Sequence, residues 1–335
     1  MKIASFFSGA GGLDLGFVKA GFRVSFANEY DKTIWSTYEH NHTKTKLDRR
    51  SIVDIKGEDL PDNLAGFIGG PPCQSWSEAG AGRGIEDHRG QLFFEYIRLI
   101  QFAKPLFFLA ENVSGILFQR HNSAFGKITD KMREIGYELS VQMVNANDYD
   151  VPQDRLRVII VGYHKDLIKK LGRGYVFPDK LIPRPTLEII KDLDKTAVPS
   201  LEKNKRNPNC RVLNNEYMTG GHSTIFMSRN RVRLWDEPSF TIQAGGRHAP
   251  IHPSANRMIK LGKDNFKFAS EDNHRRLTVR ECARIQTFPD DFEFIYRDVA
   301  DGYKMIGNAV PVNLAYHLAS SIAKDIKKSG ISKKK

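Results

Sequence analysis

The chain has 335 residues, is 40% hydrophobic and carries a formal net charge of +12. That length accommodates two domains or one large one, and the apolar content supplies a sizeable core. Composition argues against a membrane-spanning chain, which needs a run of roughly 18 apolar residues, and against a disulfide scaffold, because the three cysteines (Cys73, Cys210, Cys282) are odd in number and widely spaced.

The opening, MKIASFFSGAGG, has neither the length nor the flanks of a signal peptide. KIASFF reads as a strand and LDLGFVKA as a short helix stopped by Gly21. RVSFANE is a second strand and LAGFIGG a third. QLFFEYIRLIQFA places apolar residues at helical spacing and ends at Pro105, and LFFLAEN is a strongly apolar strand. Helices alternating with near-continuous apolar strands predict an α/β fold, a doubly wound and mostly parallel sheet. LSVQMVNA and RVIIVGY are joined by a loop of roughly ten residues, too short for a crossover helix, so this last pair is predicted to be antiparallel.

From Phe177 the character changes. FPDKLIPRPT is proline-rich, and periodicity fades until about residue 270. Lys203, Lys205, Arg206, Arg211, Arg229, Arg231 and Arg233 crowd this stretch with only Glu202 and Glu216 nearby. The local excess, more than the lysine tail, points to a polyanionic partner with nucleic acid first. Periodicity returns in LTVRECARIQTF and in VPVNLAYHLASSIAKDI, two predicted helices, the second with Pro311 near its first turn. The expected division is a cofactor-binding catalytic domain of residues 1–177 plus 301–335 and a smaller, loop-rich basic domain of residues 178–300.

Three places carry chemistry. Phe7-Ser8-Gly9-Ala10-Gly11-Gly12 follows the first strand and opens the first helix, where glycines let backbone approach a ligand. Glu29 ends the second strand, where a carboxylate accepts hydrogen bonds from ribose hydroxyls. No Gly-Lys-Ser/Thr follows the loop, which disfavours a nucleoside triphosphate. Cys73, in IGGPPCQSWSEAG, and Glu111 both follow strands onto the carboxyl edge of the sheet. A thiol and a carboxylate facing one crevice beside a nucleoside cofactor make a reaction site. No cysteine has zinc-ligand spacing, so no metal is expected, and the free thiols suit a reducing cytosol.

Read in order, FFSGAGGLDLGF, ANEYD, GGPPCQSWS, ENV, QDRLRV, RLTVRECARIQTFP and GNAVPVNLA make the sequence resemble a DNA (cytosine-5)-methyltransferase along nearly its whole length. Through TIFMSRNRVR and YKMIGNAVPVNLAY it is similar to bacterial restriction-modification enzymes of the GGCC-recognising kind. The resemblance implies a Rossmann-like fold that binds S-adenosyl-L-methionine, leaves S-adenosyl-L-homocysteine and carries a target-recognition domain. It implies a monomer acting on double-stranded DNA in the bacterial cytoplasm, at the nucleoid, paired with a restriction endonuclease. Cys73 would be the nucleophile, Glu111 would hold the cytosine edge and handle its proton, and Arg155 and Arg157 would bind the base and order the site. Phe7, Ser8, Gly9, Ala10, Gly11 and Gly12 would hold the cofactor, with Glu29 on its ribose and Tyr30, Ile52, Pro72, Asn308 and Ala309 completing the pocket.

Two stretches depart from the family pattern. An Asp-Ile pair is expected near the adenine, but that position reads Ser51-Ile52, with Asp54-Ile55 three residues later, so the adenine ligand stays open between Ser51 and Asp54. Arg229, Arg231 and Arg247 are the expected base readers, since arginine matches the major-groove edge of guanine, but His248-Ala249-Pro250 is not the expected continuation.

The chemistry explains the residue types. Carbon 5 of cytosine is a poor nucleophile, and thiolate attack at carbon 6 turns the ring into an enamine that accepts a methyl group. The base must leave the duplex to be reached. A loop carrying the thiol must then close over it, for which Gly80, Gly82, Gly84 and Gly90 supply hinges. Two other readings share the scaffold: an RNA cytosine methyltransferase, favoured by a compact second module, and a DNA-binding module with a dead core. The long arginine-rich module speaks against the first, and intact Cys73, Glu111, Arg155 and Arg157 against the second.

Overall fold

Lys2–Phe6 (β1) is the centre of the sheet, and its last four residues are wholly buried. A strand covered on both faces needs the continuous apolar run found there. The computed structural model describes residues 1–72, 88–181, 188–270 and 274–331. It comprises two compact units: residues 1–145, 156–180 and 314–335, and residues 146–155 and 181–313.

In the first unit, β1 leads into Gly12–Lys19 (α1), then Arg23–Asn28 (β2), Trp35–Asn41 (α2), Lys46–Asp48 (β3) and Gly66–Gly69 (β4). His88–Ala103 (α3) precedes Phe107–Val113 (β5), and Asn122–Glu134 (α4) precedes Tyr137–Asn145 (β6). Leu156–His164 (β7) is followed by Lys165–Leu171 (α5). The seven strands lie in the order β3-β2-β1-β4-β5-β7-β6. The first five are parallel, whereas β7 runs antiparallel to both β5 and β6. The antiparallel pair predicted from the short loop is thus present, and β7 inserts between β5 and β6. β3 and α4 carry no clear sequence signal, β3 being only three residues long. Phe6, Phe26, Phe67, Tyr96 and Phe108 pack on one side of the sheet. Phe17 stacks on Phe107, and Phe22 meets both rings at an angle.

The second unit is loop-rich, as its fading periodicity implies. Val198–Pro199 (β8) pairs with Glu216–Tyr217 (β9), and Ile259–Gly262 (β10) with Asn265–Lys267 (β11). Val279–Ile285 (α6) is shorter than the predicted LTVRECARIQTF. It starts in a capping box, in which the Thr278 hydroxyl accepts from Glu281 N and the Glu281 carboxylate accepts from Thr278 N. Val299–Asn308 (α7) follows, and Val312–Ser329 (α8) begins immediately after Pro311. Residues 146–155 and 301–313, which the sequence reading groups with the catalytic domain, pack within this second unit.

Candidate active site

The glycine loop leaves β1 through Phe7 at φ 53 and Gly9 at φ 55, and Gly11 at φ 87 caps α1. A positive φ at phenylalanine is uncommon, and neighbouring hydrogen bonds hold it. Ser8 N donates to Asn28 O at 3.1 Å and Gly11 N to Ser8 O at 2.9 Å. A Cβ at Gly11 would lie 2.0 Å from His42 Nε2, so only glycine fits. A Cβ at Gly9 would meet nothing within 4 Å, which leaves bare backbone beside open space.

Beneath this loop lies a cluster that sequence reasoning missed. Asp14, fully buried, accepts hydrogen bonds from the Ser5 hydroxyl at 2.6 Å and the Tyr38 hydroxyl at 2.5 Å. Burial raises its carboxyl above the usual range and lowers the imidazole of His42, which lies 3.2 Å from Ala10 O. These residues are far apart in the chain, so only folding reveals them as the floor of the loop.

Glu29 closes β2 against the same loop. One carboxylate oxygen accepts from Gly9 N and the other from Asp31 N, each at 2.8 Å. Burial pushes its carboxyl up, opposed by those two amides. Each oxygen retains acceptor capacity for a further donor. Tyr30 beside it is 72% exposed, an unusual position for an aromatic ring. Ile52 is buried, and its carbonyl accepts from Arg98. The Ser51 hydroxyl caps the short turn at 52–54 by accepting from Val53 N, while Asp54 is exposed. A bare glycine cradle, a carboxylate with acceptor capacity and an exposed flat ring fit the ribose and base of a nucleoside cofactor. Among the described residues no group of three or more His, Cys, Asp and Glu side chains could hold a metal ion.

The reaction-site candidates come from β5 and β7. Because these strands are antiparallel, Glu111 near the end of β5 lies beside Arg157 near the start of β7. Arg157 Nε and Glu111 Oε1 are 2.8 Å apart in a nearly closed setting. A Cβ at Gly70 would stand 3.6 Å from Glu111 Oε2, so the Gly69-Gly70-Pro71-Pro72 turn borders the carboxylate. Asn112 Nδ2 ties that turn down through Pro71 O at 3.2 Å. Cys73 itself lies outside the described residues, as do Gly80, Gly82 and Gly84, while Gly90 is in α3.

Arg155 lies in the second unit. It is 1% exposed, and its guanidinium donates to Ile242 O at 3.0 Å, Gly307 O at 2.7 Å and Ala309 O at 3.0 Å. A fork that donates to three carbonyls holds the backbone of the 242 and 307–309 segments together. Asn308 and Ala309, at the end of α7, are positioned by this clamp.

In the same unit Arg231 is likewise buried. Its Nε and one Nη donate to Phe226 O and Ile225 O at 2.7 and 2.9 Å, and burial lowers it to about 10. Arg229 and Arg247 are exposed. A cavity of about 330 Å³ is lined by Asp154, Arg229, Arg231, Gln243 and His248, among others, but not by Arg247. Sequence reasoning passed over Gln243 and Asp154, which carry no composition signal.

A family model described as C-5 cytosine-specific DNA methylase matches residues 1–324. The Type II methyltransferase M.NgoPII of Neisseria gonorrhoeae is 56% identical over 333 residues, 98% of this chain and 97% of that one. M.MthTI of Methanothermobacter thermautotrophicus is 56% identical over 330 residues, covering 97% and 98%. M.BsuRI of Bacillus subtilis is 37% identical over 361 residues, covering 96% and 79%. The fold is shared with a prophage-encoded DNA modification methyltransferase of E. coli at a TM-score of 0.72, 24% identity and coverage of 98% and 99%. It is shared with Spodoptera frugiperda DNMT2 at a TM-score of 0.65, 16% identity and coverage of 98% and 99%. The chain belongs to the C-5 cytosine-specific DNA methylases, and it transfers a methyl group from S-adenosylmethionine to carbon 5 of cytosine in DNA.

Proposed function

We propose that this enzyme methylates one cytosine of a GGCC site in duplex DNA through a covalent Cys73 adduct, as a monomer in the bacterial cytoplasm beside a cognate restriction endonuclease. The observation that carries the catalytic assignment is the Arg157–Glu111 ion pair beside the Gly69–Pro72 stretch, which precedes Cys73 in the sequence. Bound S-adenosylmethionine supplies an electrophilic methyl group on a sulfonium centre. The glycine loop and Glu29 hold its nucleoside, with Tyr30 against the base. Cys73, as the thiolate, attacks carbon 6 of the flipped cytosine. Glu111 carries a proton to ring nitrogen 3 as the ring loses aromaticity, which makes carbon 5 nucleophilic. Arg157 keeps that carboxylate aligned. A base then removes the carbon-5 proton, and the thiol leaves.

GGCC is supported by the motifs TIFMSRNRVR and YKMIGNAVPVNLAY. Arg229, exposed at the lined cavity, and Arg247 are the guanine readers of this proposal, whereas Arg231 supports the loop. The test is trapping. With cofactor, the wild type should form a denaturation-resistant complex with a duplex carrying 5-fluorocytosine in GGCC, because fluorine cannot leave as a proton does. Cys73→Ala should form none. A trapped complex on other sites but not GGCC rejects the site, and no trapped complex anywhere rejects the adduct.

A further inference from the structure

The first unit carries a row of cations at the sheet edge opposite its chemistry. Glu111 and Arg157 mark the carboxyl edge of the parallel strands. At the opposite edge, backbone hydrogen bonds run strand to strand: Arg23 N to Met1 O, Ala65 N to Lys2 O, Leu106 N to Ala65 O and His164 N to Leu106 O. These bonds line up the chain at Arg23, Lys2, Ala65, Leu106 and His164, with Lys104 two residues before Leu106 and Lys165 directly after His164. Arg23 and Lys2 are direct register partners on parallel strands. The row crosses five adjacent strands, about 19 Å at the usual strand spacing. Arg157, the second residue of β7, and His164, its last, are seven residues apart, which separates this row from the ion pair by roughly 23 Å.

Two of these placements are unfavourable in isolation. Like charges directly opposite on neighbouring strands repel. Lys165 opens α5, where the helix dipole disfavours a cation. The lysines at the far ends of α5 and α8 (Lys169, Lys170, Lys327, Lys328) complement their helix dipoles and need no ligand, but they add to the same field. Among the described residues the exposed acids of the segments flanking the row are Glu58, Asp62, Glu138 and Asp166. Asp325 is engaged by Arg173 and the Tyr163 hydroxyl. An extended anion with regularly spaced charges relieves the repulsion. Duplex DNA fits, since a 19 Å row spans about five to six base-pair steps of 3.4 Å.

We propose that the amino-terminal edge of the sheet is a second duplex-DNA backbone site, used for sequence-independent holding of a DNA segment other than the one being methylated. The substrate is itself long DNA, so the partner is always present.

The test uses the full enzyme with Lys2, Arg23, Lys104 and Lys165 all changed to Gln. Binding to site-free kilobase DNA should lose salt dependence, its log–log slope falling by about 3–4 at roughly 0.9 per released contact. The kcat/KM on a duplex of about 14 base pairs with one site should stay within about twofold of wild type, while kcat/KM on kilobase DNA falls at least about fivefold. An unchanged slope on kilobase DNA overturns the proposal, whatever else the row binds. An equal loss on short and long duplexes also overturns it, because the row would then belong to the catalytic DNA face. Circular dichroism melting of the variant separates either outcome from misfolding. A companion variant, Arg23→Lys with the three lysines left in place, keeps all four cations and should keep the wild-type slope.

Discussion

Replacing Arg155 separates a chemical role from a positioning one. Arg155→Met keeps apolar volume and removes the fork. Three buried carbonyls, on Ile242, Gly307 and Ala309, then lose their donors at 3.0, 2.7 and 3.0 Å. Each such bond to a charged group contributes about 1.5–3 kcal/mol net, and breaking a buried charged network typically costs about 3–5 kcal/mol in all, since water and backbone adjust. At about 2–4 °C per kcal/mol for a unit of this size, the melting temperature should fall by roughly 10 °C. Arg155→Lys should recover only part of this, because one ammonium cannot serve three acceptors in fork geometry. The assay is thermal and urea unfolding, with amide exchange read at residues 242–244 and 307–309. Exchange there should rise first. Turnover at a temperature where the variant is folded should fall by no more than about tenfold. Full stability with a turnover loss of several orders of magnitude refutes the reasoning and returns Arg155 to the chemistry.

Further outcomes follow from the same geometry. Glu111→Gln keeps the shape beside Arg157 but removes the acid, so turnover should drop by about two to four orders of magnitude while calorimetric cofactor affinity barely changes; near-normal turnover reassigns the proton. Gly11→Ala forces a Cβ to 2.0 Å from His42 Nε2 at φ 87, so cofactor binding should weaken sharply. Adding His42→Ala should relieve the clash but not the backbone strain, giving partial recovery; none at all places the fault elsewhere. Burial, then Arg276 and His274, lowers His222 from 6.5 to about 4. The unfolded chain therefore takes up the proton first, and the stability this histidine contributes is complete above about 6.5 and lost as pH falls through about 4. His222→Gln should lessen the drop in urea midpoint across that window, and an unchanged drop assigns the acid sensitivity to other groups.

Much of the catalytic unit was legible because parallel strands buried on both faces must be apolar throughout, as in LFFLAEN and KIASFF. The glycine loop and Glu29 were legible because strand, turn and helix follow one another within 29 residues. The cluster of Asp14, Tyr38 and His42 was hidden, since its members meet only through tertiary folding. Ser51 was ambiguous because a serine can contact a ligand or cap a turn, and here it caps. The two arginines of QDRLRV look alike in sequence, yet a single intervening leucine separates a fully buried clamp from an ion pair with Glu111. Arginines 229 and 231 present the same difficulty: composition marks a basic loop but not which side chain faces inward.

The second unit is assembled from two separate stretches, 146–155 and 181–313. Changing specificity by transplanting a module therefore involves four cuts in the chain rather than two. A graft of residues 181–300 alone would bring a foreign carbonyl to the place of Ile242 while the host kept Arg155, Gly307 and Ala309. Gly307 tightens the requirement, because a Cβ there would lie 2.3 Å from the backbone of Gln243 and Ala244. A donor module would have to present its backbone at that spot within a few tenths of an ångström. Chimaeras joined at 145, 155, 180 and 313 carry the clamp with its acceptors, and those junctions are where exchange between relatives should yield folded enzymes.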